Sequence, residues 1–258
     1  MNKTVLITGA SSGIGYGLAV IFVANNYNIV MVAKDQNKLE AAAATLKSNT
    51  NTIITLAADL ALAHAPDEVF KTLQSKNITI DILINNAGFA SYGLFTENDL
   101  KDELAELQVN IVTLTHLTKL YARDMLTRKS GRILNVASTA AFLPGPLMAV
   151  YYASKAYVLS FSEALAEEMR GTGVTVSALC PGPTDTGFVK RAHLERSKLF
   201  QGENMQASEV AEIAYNGLLA GRAVIIPGLQ NKFLTSVIKF VPRTFVPKIV
   251  KQLQEKSN

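Results

Sequence analysis

The chain has 258 residues, 48% of them hydrophobic and 18% charged, with 25 Lys and Arg against 21 Asp and Glu. A chain of this length buries roughly three quarters of its unfolded surface, and the composition excludes a disordered or collagen-like polymer. The single Cys180 excludes an internal disulfide and a cysteine-based zinc site, and His64, His116 and His193 are too dispersed for a metal-ligand pattern.

Met1-Asn2-Lys3 runs directly into Thr4-Val5-Leu6-Ile7-Thr8, without the longer apolar stretch and cleavage site of a signal peptide. No run reaches the ~20 apolar residues of a spanning helix, so a cytoplasmic protein is expected. Strands are predicted at Val5–Thr8, Asn28–Ala33, Thr52–Ala57, Asp81–Asn85, Arg132–Ser138, Thr175–Cys180 and Ala223–Pro227. Most are nearly continuous in Val, Ile and Leu, the pattern of strands buried on both faces of a parallel sheet.

Helical periodicity fills the gaps. Pro66, Asp67 and Glu68 mark a helix start, because proline is harmless at the first position and acids suit the positive end. A long helix is predicted from Thr96, with Leu100, Leu104, Leu107, Ile111, Leu114 and Thr118 as its apolar stripe and Thr96 with Asp99 as its cap. Another begins near Tyr151 and ends at Gly171-Thr172-Gly173. Strand–helix alternation predicts right-handed crossovers and a single doubly wound parallel α/β sheet with helices on both faces. Residues 1–228 read as one domain, and 229–258 as a less regular extension of it.

The first strand ends in Thr8-Gly9-Ala10-Ser11-Ser12-Gly13-Ile14-Gly15, followed by a helical run. Glycines permit a tight turn and close approach to a pyrophosphate. The helix that opens there points free N–H groups at it. The strand–turn–helix context makes this a dinucleotide-binding turn.

The spacing Gly-x-x-x-Gly-x-Gly resembles that of the short-chain dehydrogenases/reductases, and other motifs agree from Thr8 to about Thr186. Asn85-Asn86-Ala87-Gly88 is similar to the family's sheet-stabilising, cofactor-contacting motif. Asp59 matches its adenine-contacting acid, and Pro181-Gly182-Pro183-Thr184 its segment beside the nicotinamide. The resemblance implies a Rossmann-type fold. It implies cofactor contacts from Thr8, Gly9, Ser11, Ser12, Gly13, Ile14, Gly15, Asp59 and Leu60. Further contacts are implied from Asn86, Ala87, Gly88, Tyr151, Lys155, Pro181, Gly182, Thr184 and Thr186. Ala33 stands where NAD-preferring relatives carry Asp, and Lys34 where NADP-preferring relatives commonly carry Arg. A lysine can pair with a 2′-phosphate, so NADP is expected over NAD, although Asp35 is adjacent.

Tyr151 and Lys155 are four apart on one helix face. The resemblance assigns them, with Asn110 and Ser138, as the active-site set. A phenol can protonate a developing alkoxide, but its free pKa is ~10, and the Lys155 ammonium is expected to lower it. Ser138 would hold the carbonyl oxygen at the phenol, and Asn110 a water extending the relay from Lys155. The implied activity is hydride transfer between a nicotinamide and a carbonyl or alcohol substrate. Relatives are usually dimers or tetramers, so a homo-oligomer is expected. Alternatives are a non-enzymatic nicotinamide sensor or a membrane-associated interaction protein.

Cys180 reads as a small buried hydrophobe. His193 lies in the segment 187–200, where the family carries a substrate lid. Leu147, Met148, Phe142 and Phe188 could line a cleft or fill the core. Residues 1–228 carry a net charge of −1, and 229–258 hold six Lys or Arg against Glu255 alone, a net of +5. A nucleic-acid partner therefore has no support in the body. The basic amphipathic tail could lie on an anionic membrane, but docking on the body or a second subunit is favoured.

Overall fold

The computed structural model describes residues 2–46, 51–188 and 204–254. Seven parallel strands form one sheet in the order β3-β2-β1-β4-β5-β6-β9. They are β1 (Thr4–Thr8), β2 (Asn28–Ala33), β3 (Ile53–Ala57), β4 (Ile82–Asn85), β5 (Gly131–Val136), β6 (Val174–Leu179) and β9 (Val224–Ile225). A short second sheet pairs β7 (Thr184–Asp185) with β8 (Met205–Gln206). The chain order reverses between β1 and β4, which opens a crevice at the C-terminal ends of those strands.

Helices cover both faces. On one side α1 (Gly13–Ala24), α2 (Gln36–Ala44) and α7 (Ala207–Leu219) enclose Phe22, Leu18, Ile7 and Met31, all without solvent contact. The Phe22 ring meets Tyr27 and Tyr215 edge-on at 5.0 Å each. Burying one such side chain is worth about 1.5–3 kcal/mol. On the other side α3 (Ala65–Ser75) and α5 (Leu114–Arg128) cover Leu6, Val30, Leu83 and Ile133. Pro66 lies in the first turn of α3, as the sequence predicts. α6 (Ala149–Glu168) carries Tyr151 and Lys155, and the chain leaves it through Gly171 and Gly173, both at positive φ.

The helix predicted from Thr96 differs in two ways. It begins at Leu100 as α4 (Leu100–Leu107), with Asp99 alone as N-cap, its carboxylate accepting from the Lys101 amide at 2.7 Å. A π-helical turn, Gln108–Thr113, then separates it from α5. The predicted stripe faces inward only in its C-terminal part, where Leu114 and Thr118 are buried. Leu100 and Leu104 are exposed, while Glu103 and Glu106 are buried. β5 ends at Val136, so Ser138 caps a short 3₁₀ turn (Thr139–Phe142) rather than closing the strand.

The C-terminal stretch forms α8 (Leu229–Val237), a 3₁₀ turn (Ile238–Phe240) and α9 (Val246–Gln254). Val246 and Val250 pack with Ala90, Ala140, Met148 and Tyr152. Tyr92 Oη donates to the Gln254 carbonyl at 2.6 Å, and Gln254 Nε2 donates to Tyr152 Oη. One face of the tail therefore docks on the body, as favoured from the sequence. No described helix is long and apolar enough to cross a membrane.

Candidate active site

A cleft of about 1170 Å³ runs along the C-terminal ends of the strands, from the glycine turn to α9. At one end Gly9, Ser11, Ser12, Gly13 and Ile14 form its floor. Gly9 and Gly13 have φ of 65° and 56°, which favour glycine. A Cβ on Gly9 would sit 2.9 Å from Ala87 Cα. Ser12 makes no side-chain cap on α1, and no acid occupies that helix's first turn. The amides of this turn are therefore available to an anion.

Thr8, Gly15 and Asn110, predicted as site residues, do not line the cleft but stand behind it. Thr8 Oγ1 accepts from the Asn86 and Ala87 amides at 3.0 Å each. Asn86 Nδ2 donates back to the carbonyls of Thr8 (2.9 Å) and Gly9 (3.1 Å). These four bonds lock the glycine turn to the loop after β4, and Gly15 packs against Asn86 with no room for a side chain. Asn85 serves the sheet instead, donating to Thr118 and Asn135 at 2.9 Å each.

Lys34 and Asp59 lie together, Nζ to Oδ2 2.8 Å, beside Leu60. Asp35 caps α2, accepting from the Lys38 amide at 3.0 Å, and this bond holds its carboxyl below the usual carboxylate range. Lys38 also lines the cleft, a second cation there that the sequence reading missed.

Ser138, Tyr151 and Lys155 meet in the middle of the cleft. Ser138 Oγ donates to the Pro181 carbonyl at 3.4 Å and accepts from the Ala140 amide at 3.1 Å, with the Tyr151 phenol close by. Lys155 Nζ lies 5.7 Å from the Tyr151 ring centroid and donates to the Val136 carbonyl at 2.8 Å. Asn110 is set in the π turn. Its Nδ2 donates to Phe89 O (3.0 Å) and Ser154 Oγ (3.1 Å), and its Oδ1 accepts from the Phe89 amide (3.3 Å). Both amide hydrogens are thus spent on the protein. Gly88 sits against this group, since a Cβ there would lie 3.0 Å from Asn110 Oδ1 and 3.4 Å from Lys155 Nζ.

The expected lowering of the Tyr151 pKa is not found in the chain alone. Burial pushes the phenol well above its usual range, against the smaller opposing effect of the Ser138 hydroxyl. Burial also lowers Lys155 to about 8, partly opposed by Glu106. Desolvation is the largest effect on both groups.

Glu106 is a buried acid that the sequence reading missed. Its Oε2 accepts from the Ser91 amide at 2.7 Å, and its Oε1 has no hydrogen-bond partner among the described residues. Burial raises its pKa from 4.5 to about 7. The folded state therefore holds this proton more tightly than the unfolded chain does. The resulting stabilisation is complete below pH 4.5 and is lost as pH rises through about 7. The shift corresponds to about 3 kcal/mol. Glu106→Gln should flatten the dependence of thermal midpoint on pH across this window. Parallel curves for variant and wild type would contradict the assignment.

At the far end, Leu143, Met148, Phe188, Val246 and Val250 form apolar walls. Phe188 lies 5.4 Å from the Tyr151 ring. Met148 and Phe188 thus belong to the cleft, whereas Phe142 packs beneath Cys180 and Val158. Cys180 is fully buried, and burial pushes its thiol up to about 12, so it is no nucleophile. Pro181, Gly182, Thr184 and Thr186 line the cleft opposite the glycine turn. His193 and most of the predicted lid lie outside the described residues. His64 pairs with Glu68 and His116 with Asp67. No group of potential metal ligands occurs among the described residues.

A doubly wound sheet, a glycine turn at its switch point and a buried Ser–Tyr–Lys group define a nucleotide-dependent oxidoreductase framework. The family model "short chain dehydrogenase" matches residues 3–197, and the chain belongs to that family of NAD(P)-dependent oxidoreductases. A 3-oxoacyl-[acyl-carrier-protein] reductase of Synechocystis is 34% identical over 194 residues, 75% of this chain and 78% of the relative. A very-long-chain 3-oxoacyl-CoA reductase of Pyrenophora tritici-repentis is 36% identical over 180 residues, covering 67% of this chain and 52% of that protein. The solved structure of a short-chain dehydrogenase from Sphingobium yanoikuyae in complex with NADPH superposes with a TM-score of 0.81. It is 31% identical, covering 93% of this chain and 97% of that one.

Proposed function

We propose that the chain is an NADP-linked reductase of ketones or aldehydes, working in reverse as an alcohol dehydrogenase. The observation that carries this reading is the meeting of Ser138, Tyr151 and Lys155 in one cleft that starts at the glycine turn, with the Lys155 ammonium 5.7 Å from the Tyr151 ring centroid. The nicotinamide, when bound, supplies or accepts the hydride. Ser138 Oγ holds the carbonyl oxygen, and Tyr151 Oη delivers its proton to that oxygen as negative charge develops. Lys155 stabilises the phenolate left behind and is placed to reach ribose hydroxyls. Asn110 positions the loop at Phe89 and, through its carbonyl oxygen, can anchor a water beside Lys155.

Support for NADP comes from Ala33, Lys34 and Lys38 at the adenosine end and from Asp35 being committed to its helix cap. Lys34 would exchange Asp59 for the 2′-phosphate. Lys34→Ala should lower the ratio of NADPH to NADH affinity by roughly tenfold or more, the scale of one charge-assisted bond. An unchanged ratio by titration calorimetry would contradict the preference.

The apolar walls favour a substrate with an apolar body, in keeping with the acyl substrates in the names of the two relatives. A panel of 3-oxoacyl thioesters, ketones and alcohols with both cofactors tests the function. NADPH-dependent turnover of at least one carbonyl is expected. Tight NADPH binding with no turnover would favour a sensor. We also propose a homo-oligomer, supported by the outward Leu100 and Leu104 of α4.

A further inference from the structure

The docked tail leaves a second apolar face uncovered. On α9, Val246, Val250 and Gln254 point into the body, yet Ile249 and Leu253, and Phe245 just before the helix, one position earlier at the same spacing, are exposed. On α8, Leu229 and Phe233 are 82% and 72% exposed and stand one turn apart, and Phe240 follows at 88%. Eight of the seventeen exposed large apolar side chains among the described residues fall between 229 and 254. Scattered single apolar residues are ordinary on a surface, but a cluster this dense is not.

The same stretch holds Lys232, Arg243, Lys248 and Lys251, all exposed and none in an ion pair among the described residues. No Asp or Glu occurs from 229 to 254. A second copy of this face is a poor occupant, because a two-fold contact would set the lysines of one copy against those of the other. Aromatic side chains flanked by unpaired cations fit a surface that is anionic outside and apolar beneath.

We propose that α8, the turn through Phe240 and α9 rest on an anionic lipid bilayer. Phe233, Phe240 and Phe245 would enter the headgroup boundary, and the four cations would meet lipid phosphates. Leu234, Ile249 and Leu253 line the rim of the cleft as well as this face. The mouth of the cleft therefore opens toward the bilayer, and an apolar substrate reaches Tyr151 from the membrane without crossing water. The surface assignment does not depend on the reaction proposed above.

Co-sedimentation of the full chain with vesicles tests it. Binding is expected to vesicles of phosphatidylcholine containing phosphatidylglycerol, with partition at least roughly tenfold weaker to phosphatidylcholine alone. Binding should also weaken as salt is raised. Phe233→Ser with Phe240→Ser should reduce partition by roughly tenfold or more. Lys232→Gln with Lys248→Gln and Lys251→Gln should do so on anionic vesicles in particular. All five side chains are exposed and outside the cleft, so folding and NADPH binding should be retained. If the first pair fails to fold, the lysine variant still tests the surface. Three results would overturn the proposal: wild type left in the supernatant with both lipids, equal pelleting on both, or variants that pellet as wild type does. So would a dimer that light scattering shows to dissociate in the Phe233/Phe240 variant without lipid, since a second copy would then cover this face.

Discussion

Replacing Tyr151 with Phe is expected to slow carbonyl reduction by about 10²–10⁴-fold, the range for loss of a positioned general acid. NADPH affinity should stay unchanged. The substitution removes one oxygen and leaves the ring. Contacts of that ring with Tyr152 at 6.1 Å and Phe188 at 5.4 Å persist, as does the Lys155 ammonium 5.7 Å from its centroid. With that oxygen goes the proton for the alkoxide. Burial keeps the wild-type phenol protonated at neutral pH, the form that reduction needs. Lys155, lowered to about 8, loses its charge as pH rises through that value. Reduction by wild type should then decline above about pH 8, because the phenolate formed in each turnover loses its cation. Steady-state rates with NADPH in excess read both effects. Near-wild-type turnover by Tyr151→Phe would remove Tyr151 from the chemistry.

Gly15→Ala is expected to damage fold and cofactor binding together. A Cβ at Gly15 would lie 2.4 Å from Asn86 Nδ2 and 2.5 Å from the Gly9 carbonyl. Neither neighbour can yield cheaply. Asn86 Nδ2 is held by the Thr8 and Gly9 carbonyls, and Gly9 is backbone in a left-handed turn. Relief of the clash must separate the glycine turn from the loop after β4. Overpacking of this kind costs on the order of 1–3 kcal/mol, visible as a lower thermal midpoint, and NADPH affinity should fall by at least roughly tenfold. Gly187 supplies the control. A Cβ there meets nothing within 4 Å, so Gly187→Ala should change stability by less than about 0.5 kcal/mol. Equal stability and affinity in Gly15→Ala and wild type would contradict the bracing role of Asn86.

The strands and the glycine turn were legible because their signals are local. Val5–Ile7 and Ile29–Ala33 are unbroken apolar runs, and Gly9 and Gly13 sit in a strand–turn–helix pattern at φ angles that favour glycine. Tyr151 and Lys155 needed only the spacing of one helical turn. Periodicity failed on α4, where the leucine stripe faces outward and Glu106 faces inward. An acid reads as surface by composition, and only the Ser91 amide and the neighbouring Lys155 make its burial tolerable. The π turn at Asn110 was hidden for a related reason. It is stabilised by bonds to Phe89 and Ser154, 21 and 44 residues away in sequence. The Lys34–Asp59 pair joins the ends of two strands and has no local signal at all. In the tail, the sequence revealed apolar residues and cations but not their division into a docked and an open face.

The most direct test of the account follows the hydride itself. Wild-type enzyme is given NADPH carrying deuterium at the transferable position of nicotinamide C4, together with a ketone from the active panel. The account predicts deuterium on the carbinol carbon of the alcohol, in one-to-one proportion to NADPH consumed. NADPH oxidised without deuterium on that carbon, or alcohol formed while the label stays on the nucleotide, would contradict hydride transfer to the carbonyl.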